Sequence, residues 1–389
     1  MNTWITFAEA SIRQHNEKEN HDQCPFKRDK NRISYCHAFK LLLYKTQVFE
    51  NKNCHGYVTT RSTHSHEVAL TASRISEELG LCKNAAEAIS LVHDIGHPPY
   101  GHAGEEALNQ CMKKFGKEFN HDMQAIVIVE NIELIRPEFN GLNLTSLVRQ
   151  ALNCRAERYT SDQSRLACDK ENIKSTTLES WIVNFVDKMV YTIHDLEDSF
   201  INKFIKKKQL DEIPLVLNLI PSIYKHLGKN PNKRLLLAFI KKEIYNYILT
   251  DIYENNRHIR DLNVYKSHSF ILSDSNPIII SEKVKNNFSY LKLWMYENIY
   301  SGKPTEKRDA DAMLKISRLH NLLYDNNKLL KEYNFYDLEL NPNQAREDYV
   351  NDLIVYSTES FIDEFLKKHD KNFYKKNFCS KYRFKRLRK

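Results

Sequence analysis

The residues able to do chemistry crowd into HDIGHPPYGHAGEEA, positions 93 to 107. His93, His97, His102, Asp94, Glu105 and Glu106 share this stretch with three of the chain's nine glycines and two of its ten prolines. Adjacent His93 and Asp94 offer an imidazole nitrogen and a carboxylate oxygen to one cation. Successive helical residues point about 100° apart, so the two converge only at a helix end or an irregularity. Gly96 fits that requirement. Mixed nitrogen and oxygen ligation suits Mn, Fe, Co, Ni, Zn or Mg better than a structural zinc site, which favours thiolates. An ion with open positions binds a phosphate oxygen and activates a water. A lone His-Asp pair is a weak signal, and His194-Asp195 is a second one. The company of His64, His97, His102 and His121 makes the first pair different: with His93, these are five of the six histidines in a 58-residue span around a Gly/Pro loop.

Those side chains need helices to place them. Val68, Ala72, Ile75 and Leu79 form one stripe at helical spacing that ends at Gly80, and His64 extends it by a turn. Asn84 with Glu87 predicts a capping box and a helix to about Ile95, with Ile89 and Val92 inward. After the GHPPYGH loop, Ala107, Leu108, Cys111, Met112 and Phe115 predict another helix from about Gly104. Residues 153–178 are polar and without a stripe, which predicts a loop or insertion. Phe185, Met189 and Ile193 then predict a long helix from Trp181 to about Ile205. Amphipathic helices are expected around 234–255, 282–300, 308–330 and 348–369.

Scarce glycine and proline in 389 residues of 41% hydrophobic content favour long helices over a turn-rich sheet. No apolar run approaches the roughly 18 residues needed to span a bilayer. The start, MNTWITFAEASIRQH, lacks a basic and then apolar leader, and eight scattered cysteines without a Cys-x-x-Cys pair suit a reducing compartment, so a cytoplasmic location is expected. The net charge of +8 is concentrated in Lys367–Lys389, where eleven Lys/Arg face one acid, Asp370. Interleaved Phe373, Tyr374, Phe378, Tyr382 and Phe384 suit stacking on nucleic-acid bases or docking on the body. The expectation is an all-α protein with a single large domain: an N-terminal segment 1–24, a catalytic domain 25–345, and a C-terminal helix with a basic tail over 346–389.

The ordered set Arg61-x-x-His64, HDIGHPPYGH (93–102), GEEA, FNH (119–121) and VDKMVY (186–191) resembles the HD-domain superfamily. More narrowly it resembles the deoxynucleoside triphosphate triphosphohydrolases, the dGTPase-like enzymes. FKRDKNRISYCHAFKLLLYKTQVF (26–49), TTRSTHSHEVA (59–69), GLNLTSLVRQALN (141–153) and LKLWMYENIYSGKP (291–304) fit the same family, so the likeness spans about residues 25 to 330.

The resemblance implies an HD-domain helical fold, one divalent metal ion held by His64, His93, Asp94 and Asp187, and His102 with Glu105 as the acid/base pair. It implies that His97 and His121 contact phosphates, that Arg61 binds phosphate, and that Gln47 touches the sugar. Tyr191 and Asp195 would face the phosphates and the deoxyribose 3′-hydroxyl, with the Tyr191 ring leaving no room for a 2′-hydroxyl. Lys188 stands where many bacterial members carry a second aspartate, and resembles the vertebrate enzymes, in which a lysine contacts phosphate. Use of several dNTPs, rather than dGTP alone, follows from that departure. The implied reaction releases deoxynucleoside and tripolyphosphate. Two alternatives stay open: another HD phosphohydrolase, such as a nucleotidase or phosphodiesterase, and a non-catalytic regulator that binds nucleotide or nucleic acid through its basic tail. A homo-oligomer and an allosteric nucleotide or single-stranded DNA are further implications of the family; no membrane partner is expected.

Overall fold

Thr60 opens the first helix of the site: its hydroxyl accepts the Thr63 N–H, and fully buried Val68, Ala72 and Ile75 follow at helical spacing. In the computed structural model, which describes residues 3–17, 24–47, 59–160, 176–228, 231–262, 269–273, 276–301, 303–338 and 343–379, this stripe packs against the next helix and a long one further on. The helices that frame the site are, in chain order, α1 (Pro25–Tyr35), α2 (Arg61–Glu78), α3 (Lys83–Val92), α4 (Gly101–Lys113), α5 (His121–Val127), α6 (Ser146–Thr160), α7 (Leu178–Ile201), α8 (Lys233–Asn255), α9 (Glu282–Met295), α10 (Lys303–Asp325), α11 (Arg346–Val355) and α12 (Glu359–His369). The fold is all-α in class. Helix α2 lies on α3 and α7, α1 covers α3, and α4 packs on α10. No described helix is long and apolar enough to cross a membrane.

A small antiparallel sheet accompanies the helices. Strand β1 (Thr3–Thr6) and strand β2 (Thr176–Thr177) flank strand β3 (Ser269–Ser273), with Trp4 opposite Ile271 and Thr177 opposite Leu272. Phe7 and Phe270 both meet the fully buried Phe26 edge to face, at 5.5 Å each, which fixes the N-terminal segment on α1. Strands of two to five residues are too short for period-2 alternation to register against a helical background.

Several expectations need correction. The capping box at Asn84 and Glu87 does not form, because α3 already begins at Lys83. Asn84 instead donates to Cys24 Sγ at 3.6 Å, and Glu87 pairs with Lys30 at 2.6 Å. The 153–178 stretch begins as helix: α6 runs through Thr160, and residues 161–175 lie outside the described residues. The amphipathic segment 348–369 is two helices, since α11 ends at Val355 and Thr358 caps α12 by accepting the Phe361 N–H. In the basic stretch, Phe373 lies under Arg318 and buried Tyr374 and Phe378 pack together at 5.2 Å, so these aromatics are docked on the body. Residues 380–389 lie outside the described part.

The turn between α3 and α4 depends on a glycine. A Cβ on Gly96 would stand 2.0 Å from the His121 carbonyl oxygen and 2.4 Å from the Ala125 nitrogen, so backbone of α5 occupies that space. Gly116 has φ of +71°, but a Cβ added there would meet nothing within 4 Å. Gly96→Ala should therefore cost about 3 kcal/mol or more, an overpacking penalty against rigid backbone. Gly116→Ala should cost only about 1 kcal/mol, the strain of a left-handed conformation. Denaturant titration of the two variants checks this; equal losses would contradict the close approach.

Candidate metal centre and active site

Helix α3 stops at Val92, and the turn His93–Gly96 lets His93 and Asp94 face the same buried space from a helix end. His64 reaches it from α2 and Asp187 from α7. His93 Nδ1 lies 2.5 Å from the Ser90 carbonyl oxygen, which requires a proton on Nδ1. Its Nε2 has no hydrogen-bond partner among the described residues and faces Asp94 Oδ1 at 3.3 Å and Asp187 Oδ1 at 3.4 Å. His64 Nε2 stands 3.1 Å from the same Asp187 oxygen. One ligand atom each from His64, His93 and Asp94 falls within 4.8 Å of the others.

That arrangement points acceptors at one another. Lone pairs of an imidazole and two carboxylates, buried together, are unfavourable unless a proton or a metal cation lies between them. Burial opposes a charge on His93, yet Asp94 and Asp187 outweigh it and raise its pKa. Burial likewise opposes ionisation of Asp94 and Asp187, but the surrounding His and Arg side chains hold both carboxyls well below the usual range. Two arginines orient the carboxylates. Arg61 Nη1 donates to Asp94 Oδ2 at 3.0 Å, and Arg155 donates to Asp187 Oδ2 at 3.2 and 3.3 Å. Each guanidinium occupies the outer oxygen and leaves the inner one to the histidines. The residues present therefore fit a divalent ion of nitrogen and oxygen preference.

A second group, His97, Glu105 and His121, also has metal-ligating types in proximity. Its geometry argues otherwise. The His97 and His121 rings are stacked at 3.7 Å with an interplanar angle of 18°, and imidazole lone pairs lie in the ring plane. Nearly parallel planes do not direct both lone pairs at one ion. Glu105 instead serves two histidines: Oε1 accepts from His121 Nδ1 at 2.7 Å and from its backbone N–H at 3.0 Å, while Oε2 lies 3.3 Å from His102 Nδ1. His121 and His97 are buried, whereas the His102 side chain is 71% exposed, at the edge of the site. Burial and Arg61 push the His97 pKa well down. Burial opposes a charge on His121 too, but Glu105 and Asp122 prevail and push its pKa up to about 9.

The residues assigned to substrate spread around this centre. Asp195, buried on α7, accepts a hydrogen bond from Tyr300, and burial pushes its carboxyl up to about 8 despite that bond. Tyr191 stacks on Tyr300 at 6.4 Å and 18°. Lys188 is exposed on the same helix. Among the described residues the buried Gln47 amide nitrogen has no partner, and a Cβ on Gly101 would stand 3.2 Å from the Gln47 carbonyl oxygen and 3.1 Å from Arg61 Nη2. Arg61 is buried against Asp94 with its Nε unpartnered among the described residues, so any phosphate contact uses the donors Asp94 leaves. His194, of the second His-Asp pair, is tied to Glu67 at 2.8 Å.

Two participants escaped sequence reasoning. Tyr300 belongs to a segment whose helical pattern said nothing of Asp195. Arg155 lies in the stretch expected to be loop, where its Nε also donates to Asp122 at 3.1 Å and its Nη1 to Asn184 at 3.0 Å. A signal for Arg155 existed: Val148, Ala151 and Leu152 are buried at helical spacing, and Arg155 is the next position of that stripe.

Comparison with known proteins gives the same picture of relatedness. Residues 61–191 match the HD domain family. The chain is 31% identical to a deoxyguanosinetriphosphate triphosphohydrolase-like protein of Ralstonia nicotianae over 83% of each chain. It is 31% identical to one of Geobacter metallireducens over 92% of each, and 34% identical to one of Leptospira interrogans over 76% of this chain and 77% of the relative.

Arg155→Ala should weaken divalent-metal binding by about 10- to 100-fold, the usual cost of losing a group that orients a ligand. Calorimetric titration of Mn into metal-stripped protein measures it, and unchanged affinity would mean Asp187 is oriented without Arg155. The His121–Glu105 pair gives a pH signature. A base whose folded pKa is raised stabilises fully below its unfolded value of 6.5 and loses that contribution as pH rises through about 9. The stability gap between wild type and His121→Asn should thus shrink by something on the order of 3 kcal/mol between pH 6.5 and 9. Thermal unfolding of metal-free protein across that window checks the sign; a gap that widens would reverse it.

Proposed function

The chain belongs to the deoxyguanosinetriphosphate triphosphohydrolase-like family of HD-domain, metal-dependent phosphohydrolases, and from that premise we propose that it hydrolyses deoxynucleoside triphosphates to deoxynucleoside and tripolyphosphate. The observation that carries the reading is the pairing of two unlike sets: a buried nitrogen and oxygen cluster at His64, His93, Asp94 and Asp187, and beside it two histidines sharing the Glu105 carboxylate. His64, His93, Asp94 and Asp187 would hold a divalent ion, which would supply charge neutralisation at a phosphate oxygen and lower the pKa of a water.

The chain's own groups supply the rest. Water attacks the α-phosphorus and releases one proton to solvent, from which His102 is later reprotonated; the bond from phosphorus to the 5′-oxygen breaks, and that oxygen leaves with the electron pair. His102, exposed at the site edge and steered by Glu105, delivers a proton to it. His97 and His121 hold phosphate oxygens, His121 as a cation kept charged by Glu105. Remaining donors of Arg61, together with Lys188, offset charge on the triphosphate. The unpartnered amide of Gln47 and the Asp195 carboxyl bind the sugar, and the Tyr191 ring, backed by Tyr300, closes the space a 2′-hydroxyl would need. An exposed Lys188 beside the triphosphate, in place of a second acid, favours use of several dNTPs.

The test is turnover of each dNTP, alone and in pairs with Mn or Mg, with products resolved by anion-exchange chromatography. Tripolyphosphate is expected. Orthophosphate or pyrophosphate would move the chain to the nucleotidases or phosphodiesterases, and binding without hydrolysis would make it a regulator. His102→Ala should lower kcat about 10²- to 10⁴-fold with metal content unchanged, the range expected for loss of a general acid. Wild-type turnover in that variant would remove His102 from the role.

A further inference from the structure

The turn that carries His97 and His102 is held from a distant part of the chain. Tyr100, which precedes α4, has φ of 67°, a left-handed conformation rarely taken by a bulky residue. Its N–H donates to Glu359 Oε1 at 3.2 Å, and its hydroxyl donates to the Glu359 carbonyl oxygen and to Asp363 Oδ1, both at 3.2 Å. Lys315 of α10 ties Asp363 at 2.7 Å and lies 5.1 Å over the Tyr100 ring. The same Glu359 Oε1 accepts the Thr46 N–H at 3.1 Å and the Thr46 hydroxyl at 2.7 Å. Thr46 immediately precedes Gln47, and Tyr100 precedes Gly101 and His102, so one carboxylate oxygen joins two walls of the site. Next to it the fully buried Lys45 donates to the His97 carbonyl oxygen at 2.8 Å and to the Val355 carbonyl oxygen at 2.7 Å. Val355, Glu359 and Asp363 belong to α11 and α12, beyond the matched HD domain at 61–191.

We propose that Glu359 is a positioning residue for the active site: from the first turn of α12 it fixes the Thr46–Gln47 segment and the Tyr100 turn relative to each other, so that His102 meets the leaving oxygen of a substrate seated on Gln47. The proposal deepens the phosphohydrolase reading and rests on it for its kinetic arm. The C-terminal helix pair is then part of the catalytic unit, and a displacement of α12 would switch activity without touching a metal ligand. Charge alone is not the point. What matters is an acceptor at one place, since three donors from two segments converge on a single oxygen.

The test compares Glu359→Ala, Glu359→Gln and, as a control on the exposed face of the same helix, Glu364→Ala. Glu359→Ala should lower kcat about 100-fold, the scale of a misplaced catalytic group, with KM within about threefold and metal content unchanged. Glu359→Gln keeps an oxygen acceptor at that place and should recover kcat to within about tenfold of wild type. Glu364→Ala should match wild type. Hydrogen exchange without substrate supplies an arm independent of the reaction: the Thr46 and Tyr100 amides should exchange at least about tenfold faster in Glu359→Ala, while α2 and α7 stay protected. Unchanged exchange at those two amides overturns the proposal, as does a kcat within threefold of wild type, or an equal loss in the Ala and Gln variants. Absence of dNTP turnover in wild type would instead count against the proposed reaction, and the exchange result would still decide the latch.

Discussion

Everything at this site follows from one electrostatic constraint: buried acceptors cannot face each other without a positive charge between them. His93 has its proton committed to the Ser90 carbonyl, so its Nε2 meets Asp94 Oδ1 and Asp187 Oδ1 lone pair to lone pair. The chain commits two buried arginines to the outer carboxylate oxygens rather than to the centre, which keeps the inner face negative. A protein selecting for stability alone would have placed a guanidinium or an ammonium in the middle. Leaving the centre to a dissociable cation trades folding stability for a site that can offer a charge to a phosphate.

The second constraint is positional. The Glu105 carboxylate binds a buried histidine closely, at 2.7 Å, and an exposed one at 3.3 Å. The buried member is fixed by stacking on His97, which is itself in reach of Asp94 at 3.3 Å. The exposed member, His102, stands with its side chain 71% accessible. An exposed and an enclosed histidine thus share one carboxylate, and the enclosed one links Glu105 to Asp94 through its stack on His97. The turn between them tolerates no side chain at Gly96, because α5 backbone already fills that volume.

Much of this was legible in the sequence, for reasons that can be named. Val68, Ala72 and Ile75 show the period of a helix with one buried face, and the dense His/Asp run with its glycines and prolines marks a loop where chemistry gathers. What sequence could not supply is the partner of each atom. His102 and His121 both have histidine's chemistry; only burial separates the exposed ring from the enclosed one. The polarity of 153–178 hid the end of α6, because Arg155 and its neighbours read as solvent-facing residues, although Arg155 sits on the buried stripe. Likewise 348–369 carries one continuous amphipathic pattern, and the break at Tyr356–Thr358 is a matter of tertiary contact: Tyr356 donates to Glu133, which also accepts the Ala38 N–H.

These misses share a cause. Arg155, Tyr300 and Glu359 act on residues 32, 105 and 259 positions away, and local periodicity carries no information at such separations. The expected metal ligands, by contrast, are marked by residue type and by the family resemblance, with only His93 and Asp94 adjacent, because an ion needs specific donor atoms wherever the chain provides them. The orienting groups need only be a donor or an acceptor at the right place, so many sequences could fill the role and none announces it. A family signature therefore marks the atoms that touch substrate more readily than those that aim them. The aim depends on the whole fold: Lys45 alone, with two backbone carbonyls as its acceptors, joins the His97 turn to the end of α11. Burial of that amine, reinforced by Arg61, pulls its pKa down to about 7, a penalty the chain accepts to connect catalytic turn and C-terminal helices through backbone atoms that any side-chain motif would overlook.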